Sequence, residues 1–234
     1  MIGKRLIIVG FLASAAFSQS EVWIKVDSGT VLYLAPAGAE WIPVSKKQKI
    51  PVKTFLLSKP GAKAILFQET TVYELPPAAY FFVDDIFHKS RVDLVAALTR
   101  IEAEQLPVNT REPGRENCKT LGLIYGEAPE ASSVAGAIPF EQERASAIRW
   151  FAANGQYVAA LLSLKRAMTK FPALYLRQVY TEQLLSLYSH LELYGFLLEE
   201  SNRLLALKSS EAFHRIVKDW NETAKRKLVK LENR

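Results

Sequence analysis

The sequence predicts an α+β protein: a small all-β N-terminal domain, either a sandwich or an SH3-like barrel, followed by an α-helical repeat domain. Three observations carry this. Residues 22–87 hold short runs of β-branched and aromatic residues between turn signals. Residues 141–231 repeat their apolar residues every three to four positions with few breaks. Between them, residues 108–139 are broken by Pro113-Gly114, Gly122, Gly126, Pro129, Gly136 and Pro139, which marks a linker. The boundaries are residues 1–20 for a leader, 21–88 for the β domain, 89–140 for a helix and linker, and 141–234 for the helical domain.

The leader comes first. Lys4 and Arg5 precede an uncharged apolar run from Leu6 to Phe17, and small residues follow through Ser18 and Ser20. A positive start, a short apolar core and a small-residue exit are the parts of a secretory signal peptide. The run is 12 residues long, short of the roughly 20 that span a bilayer. The expectation is cleavage near Ser18 or Ser20 and a periplasmic or secreted protein with no transmembrane segment afterwards.

Charge and cysteine content narrow the classes. The chain carries +6 at neutral pH, of which Lys4 and Arg5 supply two, leaving +4 for residues 21–234. That excess is too mild for a nucleic-acid partner. Cys118 is the one cysteine, so no internal disulfide forms and packing must hold the fold. It reads as a small buried hydrophobe.

The predicted strands are residues 22–26, 31–34, 41–44, 54–57, 64–67 and 71–75, with a last one at 80–83. Ser28-Gly29, Pro36-Ala37-Gly38, Lys46-Lys47, Lys59-Pro60-Gly61 and Pro76-Pro77 separate them. A helix is expected over 89–106, with Val92, Leu94, Val95, Leu98 and Ile101 on one face and Pro107 ending it. Five more are expected near 141–153, 156–170, 174–188, 191–207 and 210–231. Their breaks fall at Asn154-Gly155, Phe171-Pro172, Ser189 and Ser209-Ser210.

Two resemblances follow from particular residues. Phe151, Gly155, Tyr157, Ala160, Leu164, Ala167 and Pro172 keep the spacing of a tetratricopeptide repeat, and residues 141–174 resemble one such unit. A second unit over 175–208 keeps apolar Leu185, Leu191 and Leu198, but carries Ser189 and Tyr194 at the glycine and small-residue positions. The resemblance implies stacked helical hairpins that bind peptides or proteins in a groove. About three units are needed for independent stability, so the β domain or a partner must complete this stack. In the β part, Gly29-Thr30-Val31, Trp41-Ile42-Pro43-Val44, Ile50-Pro51-Val52, Gly61 to Phe67 and Val72 to Leu75 are similar to the FecR-type domain of exported bacterial proteins. That likeness implies a repetitive β fold used for envelope contacts, with no catalytic residues.

No catalytic, cofactor or metal site is expected. His88, His190 and His214 have no second ligand at a metal-binding spacing, and no nucleophile elbow or phosphate-binding glycine loop occurs. The acidic pairs Asp84-Asp85 and Glu199-Glu200 read as solvated charges. The aromatics carry the interaction signal. Tyr80, Phe81, Phe82 and Phe87 cluster where the β domain gives way to helix, and Tyr175 and Tyr180 belong to a tyrosine-rich helical part. They read either as a partner-binding surface or as glue: the first four joining helix 89–106 to the β domain, the tyrosines packing stacked helices. The function expected is a non-enzymatic interaction or assembly module with a protein partner in the bacterial cell envelope. The alternatives are a sensor or regulator, or a binder of cell-wall polymer, acting through the β domain.

Overall fold

The computed structural model describes residues 21–34, 40–68, 71–88, 90–103, 138–207 and 210–232. The expected leader, Cys118 and nearly all of the linker lie outside these residues.

Among the described residues the β part has eight strands: β1 Glu21–Ser28, β2 Val31–Leu34, β3 Ile42–Pro43, β4 Lys47–Pro51, β5 Phe55–Ser58, β6 Lys63–Gln68, β7 Thr71–Glu74 and β8 Ala79–Phe82. They pair antiparallel in two four-stranded sheets, β4-β1-β6-β7 and β3-β2-β5-β8. Alternation explains β1: Val22 and Ile24 are buried, while Trp23 and Lys25 face out. Val22, Ile24, Ile50 and Leu66 of the first sheet join Val31, Leu56 and Phe81 of the second in one buried cluster.

Strand β4 was not expected. Its lysines read as a turn, yet Lys47 and Lys49 are the outward positions of an edge strand whose inward Ile50 is buried. A charged edge discourages pairing with another chain, and it also weakens the apolar signal of the strand.

The chain changes sheet at glycines. At Gly29 φ is +75°, and a Cβ there would lie 2.6 Å from the Ala62 Cα. Only glycine lets the β1–β2 corner pack this closely on the β5–β6 turn. In that turn the Ala62 N–H donates to the Lys59 carbonyl at 3.1 Å, with Gly61 at φ +76°. That is the glycine position of a Pro-Gly turn of the second type.

Six α-helices follow among the described residues: α1 Arg91–Ala103, α2 Glu141–Ala153, α3 Tyr157–Lys170, α4 Gln178–His190, α5 Tyr194–Leu205 and α6 Glu211–Glu232. Ser90 caps α1. Its Oγ accepts from the Asp93 N–H at 3.0 Å and donates to the Asp93 carboxylate at 2.6 Å. The buried stripe of α1 is Leu94, Ala97, Leu98 and Ile101, whereas Val92 is 78% exposed, so the expected face was wrongly phased by Val92. Gly155, at φ +73°, ends the α2 turn. The break expected at Ser189 falls two to three residues later. Ser189 is still helical, and the turn is made by Glu192 at φ +54°. Pro172 opens a short 3-10 helix, Pro172–Leu176.

The β and helical parts share one core. Helix α2 lies along the edge strand β8, α1 packs on α3, and α3 also meets the 3-10 helix Val83–Ile86 that follows β8. Residues Ala147, Ile148 and Phe151 of α2 belong to the same buried cluster as Phe81 and Leu98. The β domain and α1 therefore supply the surface that too few helical hairpins would leave uncovered.

Candidate interaction surfaces

Of the six aromatics expected to bind a partner, Tyr80, Phe81, Tyr175 and Tyr180 are buried and Phe82 and Phe87 are half-buried. The Phe81 ring meets Phe151 of α2 edge-on at 5.4 Å. Tyr80 stacks on Phe55 at 5.2 Å and on Phe140 at 5.2 Å, and Phe140 meets Trp41 at 5.8 Å. Phe87 meets Tyr73 at 5.3 Å. The cluster glues, as one reading allowed, but Tyr80 and Phe81 join the β domain to α2, not to the helix at 89–106.

The seam also holds charge. Arg144 of α2 lies 3.9 Å over the Tyr80 ring, and its Nε donates to the Pro139 carbonyl at 3.1 Å. Burial pulls this guanidinium below its usual pKa, with Tyr80 opposing. Arg166 of α3 covers Phe82 at 4.3 Å and donates to Asp85 at 2.9 Å through one terminal nitrogen and at 3.5 Å through Nε. Asp85 is 1% exposed, which corrects its reading as a solvated charge. Burial raises its pKa, while Arg166 works the other way.

Glu200 is corrected likewise. It is buried in α5 and sits 3.5 Å from Lys165 of α3 and 2.5 Å from Arg203. Lys165 also reaches Glu102 of α1 at 3.2 Å and the Tyr175 hydroxyl at 3.5 Å. Burial opposes the Lys165 charge, but the oxygens of Tyr188, Tyr175, Glu200 and Glu102 outweigh it and raise its pKa. Tyr175 stacks beneath Arg203 at 4.0 Å. Sequence periodicity marks such residues as helical but not as partners, because Lys165 and Glu200 are 35 positions apart. Asp84 and Glu199, the other halves of the two pairs, do keep contact with solvent.

Tyr180 reaches a surface feature as well. Its hydroxyl donates to Glu141 at 3.4 Å, and Arg177 bonds the same carboxylate. Burial raises the Tyr180 pKa, and Glu141 adds to this. Tyr180 and Glu141 border an open concavity of about 740 Å³ between the start of α2 and α4, lined also by Phe140, Glu143 and Arg149. Phe140 caps α2 at φ +56°, a strained setting for an aromatic residue. Its stacking on Tyr80 and its edge-on contact with Trp41 hold it there.

No family model, curated protein or solved structure matches this chain. Among the described residues, no helix is long and apolar enough to cross a membrane, and no three His, Cys, Asp or Glu side chains gather as a metal site would need. His190 ends α4 with Nδ1 2.8 Å from the Ser186 carbonyl oxygen, and His214 lies 3.1 Å from the Leu207 carbonyl oxygen.

Proposed function

We propose that this chain is an exported, non-enzymatic interaction module of the bacterial cell envelope, which holds a segment of a partner protein on the face shared by α2 and α4. The concavity bordered by Glu141, Glu143, Arg149 and Tyr180 carries this reading. Helices α2 and α4 each begin one of two successive hairpins, and stacked hairpin repeats present a concave binding surface. The α2–α3 hairpin supports a tetratricopeptide-like unit. Phe151, Ala160, Leu164 and Ala167, which carry that spacing, are all within 1% of full burial. The β domain would serve as the FecR-like support of this stack. Export rests on the sequence of residues 1–20, and amino-terminal sequencing of the envelope-purified protein checks it.

The buried charges support a binding role over a catalytic one. Asp85 and Glu200 are buried and each is paired with an arginine, whereas a reacting group needs access to substrate.

The test is cross-linking and co-purification from envelope extract with the whole exported chain, beside a Glu143→Lys/Arg149→Glu variant. A stoichiometric protein partner that is lost with the variant is the expected result. A partner retained by the variant, or none, sinks the groove reading. Deleting residues 141–234 would be a poor substitute, because it strips α2 from Phe81 and the edge strand β8.

A further inference from the structure

The outward face of the first sheet has no part in the groove, and its register sorts its side chains. Across the four strands one row reads Lys49, Trp23, Phe67, Val72, and the next reads Lys47, Lys25, Ile65, Glu74. Trp23 is 42% exposed and Val72 is 55% exposed, while Ile65 and Phe67 are half-buried. The ammonium groups of Lys47 and Lys49 lie 5.2 and 5.6 Å from the Trp23 ring centre. Two strands of this face are therefore lysine-rich, and the other two are mostly apolar. Asp27 pairs with Lys25 at 2.6 Å near the end of β1, and Glu74 stands on the far edge strand.

We propose that this face docks on an anionic phospholipid surface. Tryptophan settles at the boundary between headgroups and acyl chains, and lysines beside it meet lipid phosphates. Val72, Ile65 and Phe67 offer no hydrogen-bonding group to sugar hydroxyls, which favours lipid over a wall glycan. This surface is separate from the α2–α4 groove and stands whether or not the groove binds a protein.

The experiment is vesicle sedimentation with residues 21–234, which keep every described strand and helix. One set of vesicles is phosphatidylcholine alone, and the other holds equal parts of phosphatidylcholine and phosphatidylglycerol. The expected result is binding to the anionic vesicles only, weakened by salt. A Lys47→Gln/Lys49→Gln variant should bind about 25-fold more weakly, from about fivefold for each lysine at an anionic surface. Trp23→Ala should also weaken binding and remove a membrane-induced blue shift of the tryptophan emission. Lys218→Gln/Lys230→Gln, the same charge change on exposed positions of α6, should bind like the parent. Circular dichroism and melting of each variant confirm the fold. No sedimentation, binding without anionic lipid, or equal loss in both lysine pairs would overturn the proposal. Retention on purified wall glycan without vesicle binding would overturn it too, and would assign the face to glycan.

Discussion

Asp85, in the 3-10 helix after β8, and Arg166, in the middle of α3, meet at 2.9 Å across the seam between the β domain and the helices. The carboxylate is almost wholly buried, whereas the guanidinium keeps some contact with water. Removing one partner of such a pair leaves an uncompensated charge in the interior. Arg166→Met should therefore cost about 3–5 kcal/mol in urea unfolding. The double variant with Asp85→Asn should recover much of that loss. A single variant no worse than the double would show that the pair carries no burden at the seam.

The same carboxyl makes a prediction about pH. Burial raises the folded pKa of Asp85 above its usual value, against the pull of Arg166. A raised folded pKa means that the folded state holds the proton more tightly than the unfolded chain. The group's contribution is then most favourable below the ordinary carboxyl value. It declines as pH rises through the folded pKa. The stability of the parent relative to Asp85→Asn should improve between pH 7 and pH 4, as read from urea melts across that interval. A difference that worsens on acidification would mean that Arg166 prevails over burial.

The edge-on contact of Phe81 with Phe151 predicts that the two parts unfold together. Both rings lie in the shared core, and deleting a buried phenyl ring costs about 3–5 kcal/mol. Phe81→Ala should lower both the strand and the helix signals in one transition. Coincident melts by far-ultraviolet circular dichroism and tryptophan fluorescence check this. Two separated transitions in the parent protein would refute a single cooperative unit.

Gly29 and Gly61 offer a paired comparison. Both have φ near +75°, but only at Gly29 would a Cβ meet backbone, at 2.6 Å from the Ala62 Cα. Gly61→Ala bears the backbone cost alone, about 1 kcal/mol. Gly29→Ala adds a clash that the β5–β6 turn must move to relieve, and should cost about 3 kcal/mol in total. Equal losses in chemical denaturation would argue that the corner yields.

The buried charge cluster distinguishes its two glutamates. Glu200 is 8% exposed at the side chain and Glu102 is 52% exposed. Glu102 faces water and its loss leaves Lys165 still paired with Glu200, so Glu102→Gln should cost at most about 1 kcal/mol. Glu200→Gln weakens the support of both Lys165 and Arg203 and should cost about 2–3 kcal/mol. Thermal melts of the two variants side by side give the answer.

The residues that made the fold legible act locally. The 3.6-residue apolar period located the six described helices, because a helix must put its buried face on one side. Gly155 and Pro172 punctuated them through backbone geometry that needs no distant partner. Strand β4 escaped because its signal is diluted by outward lysines, and Val92 misled because a valine can face solvent on a helix. The interaction site was less legible. The aromatic cluster at Tyr80 to Phe87 was visible, but its choice between surface and seam was not. That choice depends on α2, which begins at Glu141 and covers β8 only in three dimensions. Asp85 and Glu200 turned inward for the same reason. A carboxylate reads as solvated until a cation from another helix, Arg166 for Asp85 and Lys165 for Glu200, arrives to meet it. Periodicity along the chain determined the described helices, the strands other than β4, and their order. The tertiary structure alone decided which aromatics and charges they consume and which, such as Trp23, they leave exposed, because burial depends on contacts between residues far apart in sequence.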